Sequence, residues 1–175
     1  MVENCLIDAN KSYRPSSGFD VLYVRRFLPN SKCTALIYRT GKVGLVGGRS
    51  LSELDMYADM LVTAIGSTFK RTEIIIYNIV GSYDCLHRIF LESLYNFVIS
   101  SKNTADDGRI LSFLKILFDP EFFPAVKIRP YHDLDDNTTC LIFRSGKLIV
   151  TGSSSMHTLN SAANIVYNLC KKFFI

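Results

Sequence analysis

Apolar and polar positions alternate strictly in two stretches of this chain, and the two stretches are copies of each other. Thr34 to Gly47 (TALIYRTGKVGLVG) realigns without a gap on Thr139 to Gly152 (TCLIFRSGKLIVTG), at a constant offset of 105 residues. In each copy the alternation predicts a strand, the Gly-Lys pair a turn, and the second alternating run the return strand of a hairpin. Ser50-Leu51-Ser52-Glu53 then reads as a capping box. Leu54, Ala58, Leu61 and Ile65 follow at helical spacing, so one helix face would pack on the sheet. The second copy repeats this with Leu159, Ala163, Val166, Cys170 and Phe173. An extended segment opened by a phenylalanine, Phe19 or Phe123, precedes each copy. A duplication of this size implies two related halves.

Between the copies the pattern predicts a strand over Glu73–Val80, a break at Gly81-Ser82 and an amphipathic helix around Leu86–Phe97. A polar loop over Ser100–Arg109 comes next, then an apolar segment, Ile110–Phe118, that reads as a short docking helix. The halves are residues 1–70 and 71–175, the second carrying an inserted loop at about 98–116. The first half begins part-way through its short helix, near Cys5–Asn10, and lacks its first strand. That leaves a sheet edge open, which proteins usually cover; a second copy of the chain in a homodimer is one conceivable cover.

Composition narrows the class. With 175 residues, 48% of them apolar, the chain is one large domain or two small joined ones with a real core. Its five cysteines (Cys5, Cys33, Cys85, Cys140, Cys170) are scattered and form no CxxC, which reads as reduced thiols. No apolar run is long enough for a membrane span. The net charge of +4 permits a polyanion partner without requiring one.

Catalytic chemistry finds little support. No nucleophile–base pair or metal-ligand spacing is present, and His87, His132 and His157 stand alone. Asp133-Leu134-Asp135-Asp136-Asn137 opens like a calcium loop, but Thr138 stands where that loop needs glycine and Arg144 where it needs glutamate. It reads as an acidic hairpin turn. No cofactor and no metal are expected, and the chain reads as a non-enzyme.

The hairpins carry a more telling feature. One parity holds Leu36, Tyr38, Thr40, Lys42, Gly44 and Val46, matched by Leu141, Phe143, Ser145, Lys147, Ile149 and Thr151. Residues two apart share a sheet face. The other parity (Ile37, Val43, Leu45; Ile142, Leu148, Val150) is mainly aliphatic and suits packing under helices. The first face has an apolar centre, small hydroxyls and a lysine rim. Such a surface suits the DNA minor groove, where base edges offer few distinguishing donors and shape carries recognition. Aromatic wedges that unstack base steps would complete it. The pairs Phe19 with Tyr38 and Phe123 with Phe143 are the candidates.

With these residues in view, the chain resembles the TATA-box-binding protein family. The motifs are Ile79-Val80-Gly81-Ser82, Asp119-Pro120-Glu121-Phe122-Phe123-Pro124 and the two Leu-Ile-aromatic-x-Ser/Thr-Gly-Lys hairpins, and the resemblance runs from about Cys5 to Phe173. It implies an α+β saddle of two pseudo-symmetric halves, a curved antiparallel sheet with helices on its convex back. It implies DNA binding and bending by the concave face, in the nucleus or a viral transcription compartment. By position, Phe19, Tyr38, Phe123 and Phe143 resemble intercalating wedges. Leu36, Val46, Asn78, Val80, Leu141 and Thr151 resemble groove and base contacts. Arg25, Lys42, Arg49, Arg129 and Lys147 match phosphate contacts. Asp119, Glu121 and Phe122 form the stirrup that the family uses to bind transcription factor IIB; a factor IIA-like partner is also implied.

Departures concentrate in the first half. Tyr38 replaces a wedge phenylalanine, Val46 a hydroxyl, and Gly44 an aliphatic residue. Asp20 sits beside Phe19, and Ser154 stands in place of a lysine. The turns before Tyr38 and Phe143 are longer than the family norm. The resemblance thus implies an initiation factor that binds AT-rich, TATA-like DNA with one-sided preference. The alternative reading is a protein-interaction adaptor whose DNA face has decayed.

Overall fold

The computed structural model describes residues 21–25, 31–66, 70–101, 114–130 and 137–175. They fall into two compact units, Met1–Ile74 and Ile75–Ile175. Phe19, Asp20, the segment near Cys5–Asn10, most of the inserted loop and the acidic turn at 131–136 lie outside the described residues.

The first unit holds β1 (Val21–Arg25), β2 (Thr34–Tyr38), β3 (Val43–Val46) and helix α1 (Leu51–Ile65). The strands form an antiparallel sheet in the order β1-β2-β3. Val24 and Ala35 point to the helix side and are buried with Tyr57 and Leu61, while Leu22, Ile37 and Leu45 pack half-buried around them. Tyr57 is fully buried and was not among the helix positions read from spacing; its hydroxyl donates to the Val24 carbonyl at 2.9 Å. That bond removes the main cost of burying a phenol. Ser50 caps α1 as its sequence predicts, accepting from the Glu53 N–H at 3.1 Å. The Glu53 carboxylate reaches the Arg49 N–H and the Ser31 hydroxyl, at 2.7 and 2.6 Å. These two bonds, the hydroxyl first, lower its pKa. Arg71 pairs with both Asp55 and Asp59, one turn apart on α1, and so ties the chain leaving the helix back onto it.

The second unit holds β4 (Ile79–Asp84), α2 (Leu91–Ser101), β5 (Leu114–Asp119), β6 (Phe123–Pro130), β7 (Thr139–Phe143), β8 (Lys147–Ser153) and α3 (Met156–Cys170), ending in a 3₁₀ turn (Lys171–Phe173). Its antiparallel sheet runs β4-β8-β7-β6-β5. Both helices lie on one side. Beneath them Val126, Ile128, Cys140, Ile142, Leu148 and Val150 are buried against Leu94, Val98, Leu159, Ala162 and Val166. Each valine, leucine or isoleucine among them contributes roughly 1.5–3 kcal/mol relative to exposure. The duplication is exact in structure: β2 and β7, and α1 and α3, begin and end 105 residues apart, and Ser155 caps α3 as Ser50 caps α1.

Three local expectations are corrected. The strand expected over Glu73–Val80 begins only at Ile79 and runs through Gly81-Ser82, which is no break. Gly81 sits there because a Cβ would press on Leu159 of α3, at 2.6 Å, and on the Tyr83 ring. The helix expected over Leu86–Phe97 is Leu91–Ser101 instead. Ahead of it the chain loops, with Leu86 at positive φ, its N–H held by Asp84, and Cys85 and Ile89 bonded to the β7–β8 turn. The described part of the short helix expected over Ile110–Phe118 belongs to strand β5, which starts at Leu114 and pairs with β6 through Leu117↔Lys127 and Ile116↔Ile128. A three-residue apolar run, Ile116–Phe118, has no period of its own, and the available sheet edge decided it.

Candidate nucleic-acid interface

The face of each sheet turned away from its helices carries the residues singled out above. In the second unit, register places them in transverse rows. Leu117, Lys127, Leu141, Ile149 and Ser82 stand side by side across the sheet from β5 to β4. A second row begins with Lys115 opposite Arg129. It continues through Thr139, which accepts from Arg129 Nε at 3.2 Å and pairs with Thr151. Asn78 closes that row: its Oδ1 accepts from the Gly152 N–H at 2.8 Å and lies 3.4 Å from the Thr151 hydroxyl. The third row holds Ala125 opposite Phe143, then Lys147 opposite Asp84 at the hairpin end. Phe123 and Phe143 meet edge to face, ring centroids 6.1 Å apart.

Among the described residues no helix of the unit covers this face. Val80 and Leu117 are each 62% exposed and Phe123 is 44% exposed, while Leu141, Phe143 and Ile149 are half-buried only by their neighbours. Contiguous open apolar surface on a sheet face marks an interaction site. The β5–β6 turn projects Asp119 and Glu121, both exposed, and Phe122, which is 91% exposed.

The first unit repeats the rows with weaker chemistry. Tyr23, Leu36 and Gly44 take the places of Lys127, Leu141 and Ile149; Arg25, Thr34 and Val46 those of Arg129, Thr139 and Thr151. Val46 is 56% exposed, a methyl pair where the second unit has a hydroxyl. Tyr38 leans toward Gly44, its Cε2 lying 3.8 Å from where a Cβ would stand, so the small residue leaves that ring room. Arg25 sits over the Tyr23 ring at 5.7 Å. Lys42 and Arg49 are exposed at the hairpin turn and before α1.

The structure thus gathers Asn78, Val80, Phe123, Arg129, Leu141, Phe143, Lys147 and Thr151 on one face, and Arg25, Leu36, Tyr38, Lys42 and Val46 on the other sheet. Lys115, Leu117, Lys127 and Ser82 were missed. Alternation along Phe123, Ala125, Lys127 and Arg129 contains the signal for Lys127, outside the two duplicated hairpins. Lys115 was hidden by the helical reading of its segment.

Other chemistry has little footing here. Among the described residues no group of three or more metal-ligating side chains gathers. Burial pushes the Cys140 and Cys170 thiols up to about 12, and raises Cys33 and Cys85, so none is a ready thiolate. His87 stacks on Phe174. No helix is long and apolar enough to cross a membrane.

Fold and face together define a class: an α+β protein built on a duplicated hairpin-and-helix unit that leaves an apolar, cation-flanked sheet face open. The family pattern described as "Transcription factor TFIID (or TATA-binding protein, TBP)" matches residues 73–173, more than half of the chain. The chain belongs to the TATA-binding protein family. It is 29% identical to TATA-box-binding protein-like 1 of Entamoeba histolytica over 164 residues, covering 91% of this chain and 66% of that protein. It is 29% identical to the TATA-box-binding protein of Schizosaccharomyces pombe over 168 residues, covering 94% of this chain and 64% of that one. The chain therefore spans about two thirds or less of these relatives. Its fold matches Methanococcus jannaschii TBP with a TM-score of 0.64 at 23% identity, covering 95% of this chain and 89% of that one. The family is one of non-enzymatic DNA-binding transcription factors.

Proposed function

We propose that this protein is a general transcription initiation factor that binds AT-rich, TATA-like duplex DNA in the minor groove and bends it. One observation carries the reading: the second unit's open face sets a pair of edge-to-face phenylalanines beside an apolar row and the Asn78–Thr151 pair. Donors and acceptors are sparse there, as they are on the minor-groove floor. Phe123 and Phe143 act as the wedge, Asn78, Val80, Leu141 and Thr151 meet base edges, and Arg129 and Lys147 hold phosphates. In the first unit Tyr38, Leu36, Val46, Arg25, Lys42 and Arg49 act in the same way, with Phe19 as the second wedge. Without a hydroxyl at Val46 or an aliphatic side chain at Gly44, that half contributes less, and sequence preference is one-sided. The exposed Asp119-Glu121-Phe122 turn recruits a transcription factor IIB-type partner, in the nucleus.

Fluorescence transfer across an end-labelled TATA-containing duplex tests the core of this reading. A large bend is expected for the wild type and its loss for Phe123→Ala/Phe143→Ala. A folded protein that neither binds nor bends the duplex at low salt would sink it, and would turn attention to the adaptor role of the stirrup.

A further inference from the structure

We propose that the chain forms a two-fold dimer through the open edge of β4, each copy laying its segment Ile75–Asp84 antiparallel beside the same segment of the other. The contact is made within the second unit and is independent of the DNA-binding reading above.

Three observations support it. First, β4 ends its sheet: the order β4-β8-β7-β6-β5 leaves one side of it without a neighbour among the described residues. Proteins blunt such edges with charge or proline, but from Ile74 to Tyr83 the chain has neither. Second, the strand that the sequence predicts over Glu73–Val80 is only half made. Its pairing with β8 stops at Ile79↔Ser153. Ahead of that point Ile75–Asn78 runs without helix, turn or bend, and forms no backbone–backbone hydrogen bond among the described residues. An isoleucine-rich run suits a sheet, and unpaired N–H and C=O groups on an edge are a template for another strand. Third, apolar side chains stand bare along the run. Ile75 is 67% exposed and Tyr77 82%, while Ile74 and Ile76 are half-buried. Parity carried back from Gly81, which faces Leu159 of α3, puts Ile75 and Tyr77 on the helix side, past the paired part of β8.

A second copy is the occupant that fits. Under a two-fold axis the strand meets its own sequence, so an uncharged, mostly apolar run faces the same run and no unpaired charge is covered between Ile74 and Tyr83. Registers that set helix-side residues against helix-side residues keep both copies' helices on one side and both open faces on the other. Two five-stranded sheets then join into one, continuous with the face described above. An axis near Asn78 lays each bare run beside the other copy's Ile79–Asp84, where α3 packs on the helix side. Ile75 and Tyr77 thereby gain the cover that their own unit does not give them.

Sedimentation velocity across a concentration series tests the proposal, on the wild type and on Ile75→Lys/Tyr77→Lys. Both substitutions fall on exposed side chains, so the melting temperature should stay close to that of the wild-type monomer. The wild type should pass from one chain to two as concentration rises, and the double variant should remain a monomer. Hydrogen exchange on the wild type locates the contact without a variant. Amides within Ile75–Val80 should gain protection at concentrations where the dimer forms and lose it on dilution. A wild type that stays monomeric throughout would overturn the proposal. So would a dimer that survives the double variant, or one that leaves those amides unprotected. Assembly that grows past two chains would overturn it as well, because a two-fold contact closes on itself.

Discussion

At the scale of the residue, identical sequence positions acquire different energetic weight from what surrounds them. Gly41 and Gly146 fill the same place in the two hairpin turns, with φ of 84° and 90°. Any other residue there costs roughly 1 kcal/mol or more for its backbone alone. A Cβ on Gly41 would meet nothing within 4 Å, whereas on Gly146 it would run into the His87 carbonyl. Gly41→Ala should therefore lose about 1 kcal/mol in urea unfolding, and Gly146→Ala at least twice that. Equal losses would mean that the His87 loop yields without cost. The turn itself was legible from Gly-Lys between alternating runs. The packing of one turn and not the other was invisible, because the loop that presses on Gly146 comes from some 60 residues upstream. Lys127 shows the same limit: its parity is local, but its neighbours Leu117 and Leu141 come from other strands.

At the scale of the element, the start of α1 is legible because capping is local chemistry: Ser50 caps it as its sequence predicts, and Ser155 caps α3 in the same way. Glu53 accepts from the N–H of Arg49, one residue before the cap, and from the Ser31 hydroxyl outside the helix. Its folded pKa lies below the ordinary carboxylate value, so the stability it adds is present above that value. It is lost as pH falls through the lower, folded value. Glu53→Gln should accordingly be less stable than wild type at neutral pH, and the gap should close under acid. Urea midpoints from pH 7 to about pH 3 would check this, and a gap constant with pH would exclude a charge effect. The elements misread were those with weak internal periodicity. The segment Ile110–Phe118 reads as helical but is β5 from Leu114 on; the helix expected over Leu86–Phe97 starts later, at Leu91, because the loop at Cys85–Phe90 is set by bonds to Gly146, Arg144 and Phe173 rather than by propensity.

At the scale of the whole molecule, the face proposed to read the groove and the turn proposed to bind a partner are presented by different parts of the second unit. Glu121 and Phe122 project from the β5–β6 turn, while Asn78, Leu141 and Thr151 lie on the sheet. Glu121→Arg should abolish capture of a transcription factor IIB-type partner while DNA affinity does not fall; capture that survives the reversal would remove Glu121 from that surface. The duplicated hairpin, its turn glycines, its caps and its outward parity follow from sequence alone, since each is set by neighbours within a few residues. So does the resemblance that placed Phe123, Phe143, Asn78 and Thr151 in one functional set. Tertiary structure decided what no local pattern encodes: the strand identity of Leu114–Asp119, the burial of Tyr57 through its bond to Val24, and the meeting of Lys115, Lys127 and Arg129 on one face. These depend on strand order and register, which bring residues distant in sequence to within a side chain's length of one another.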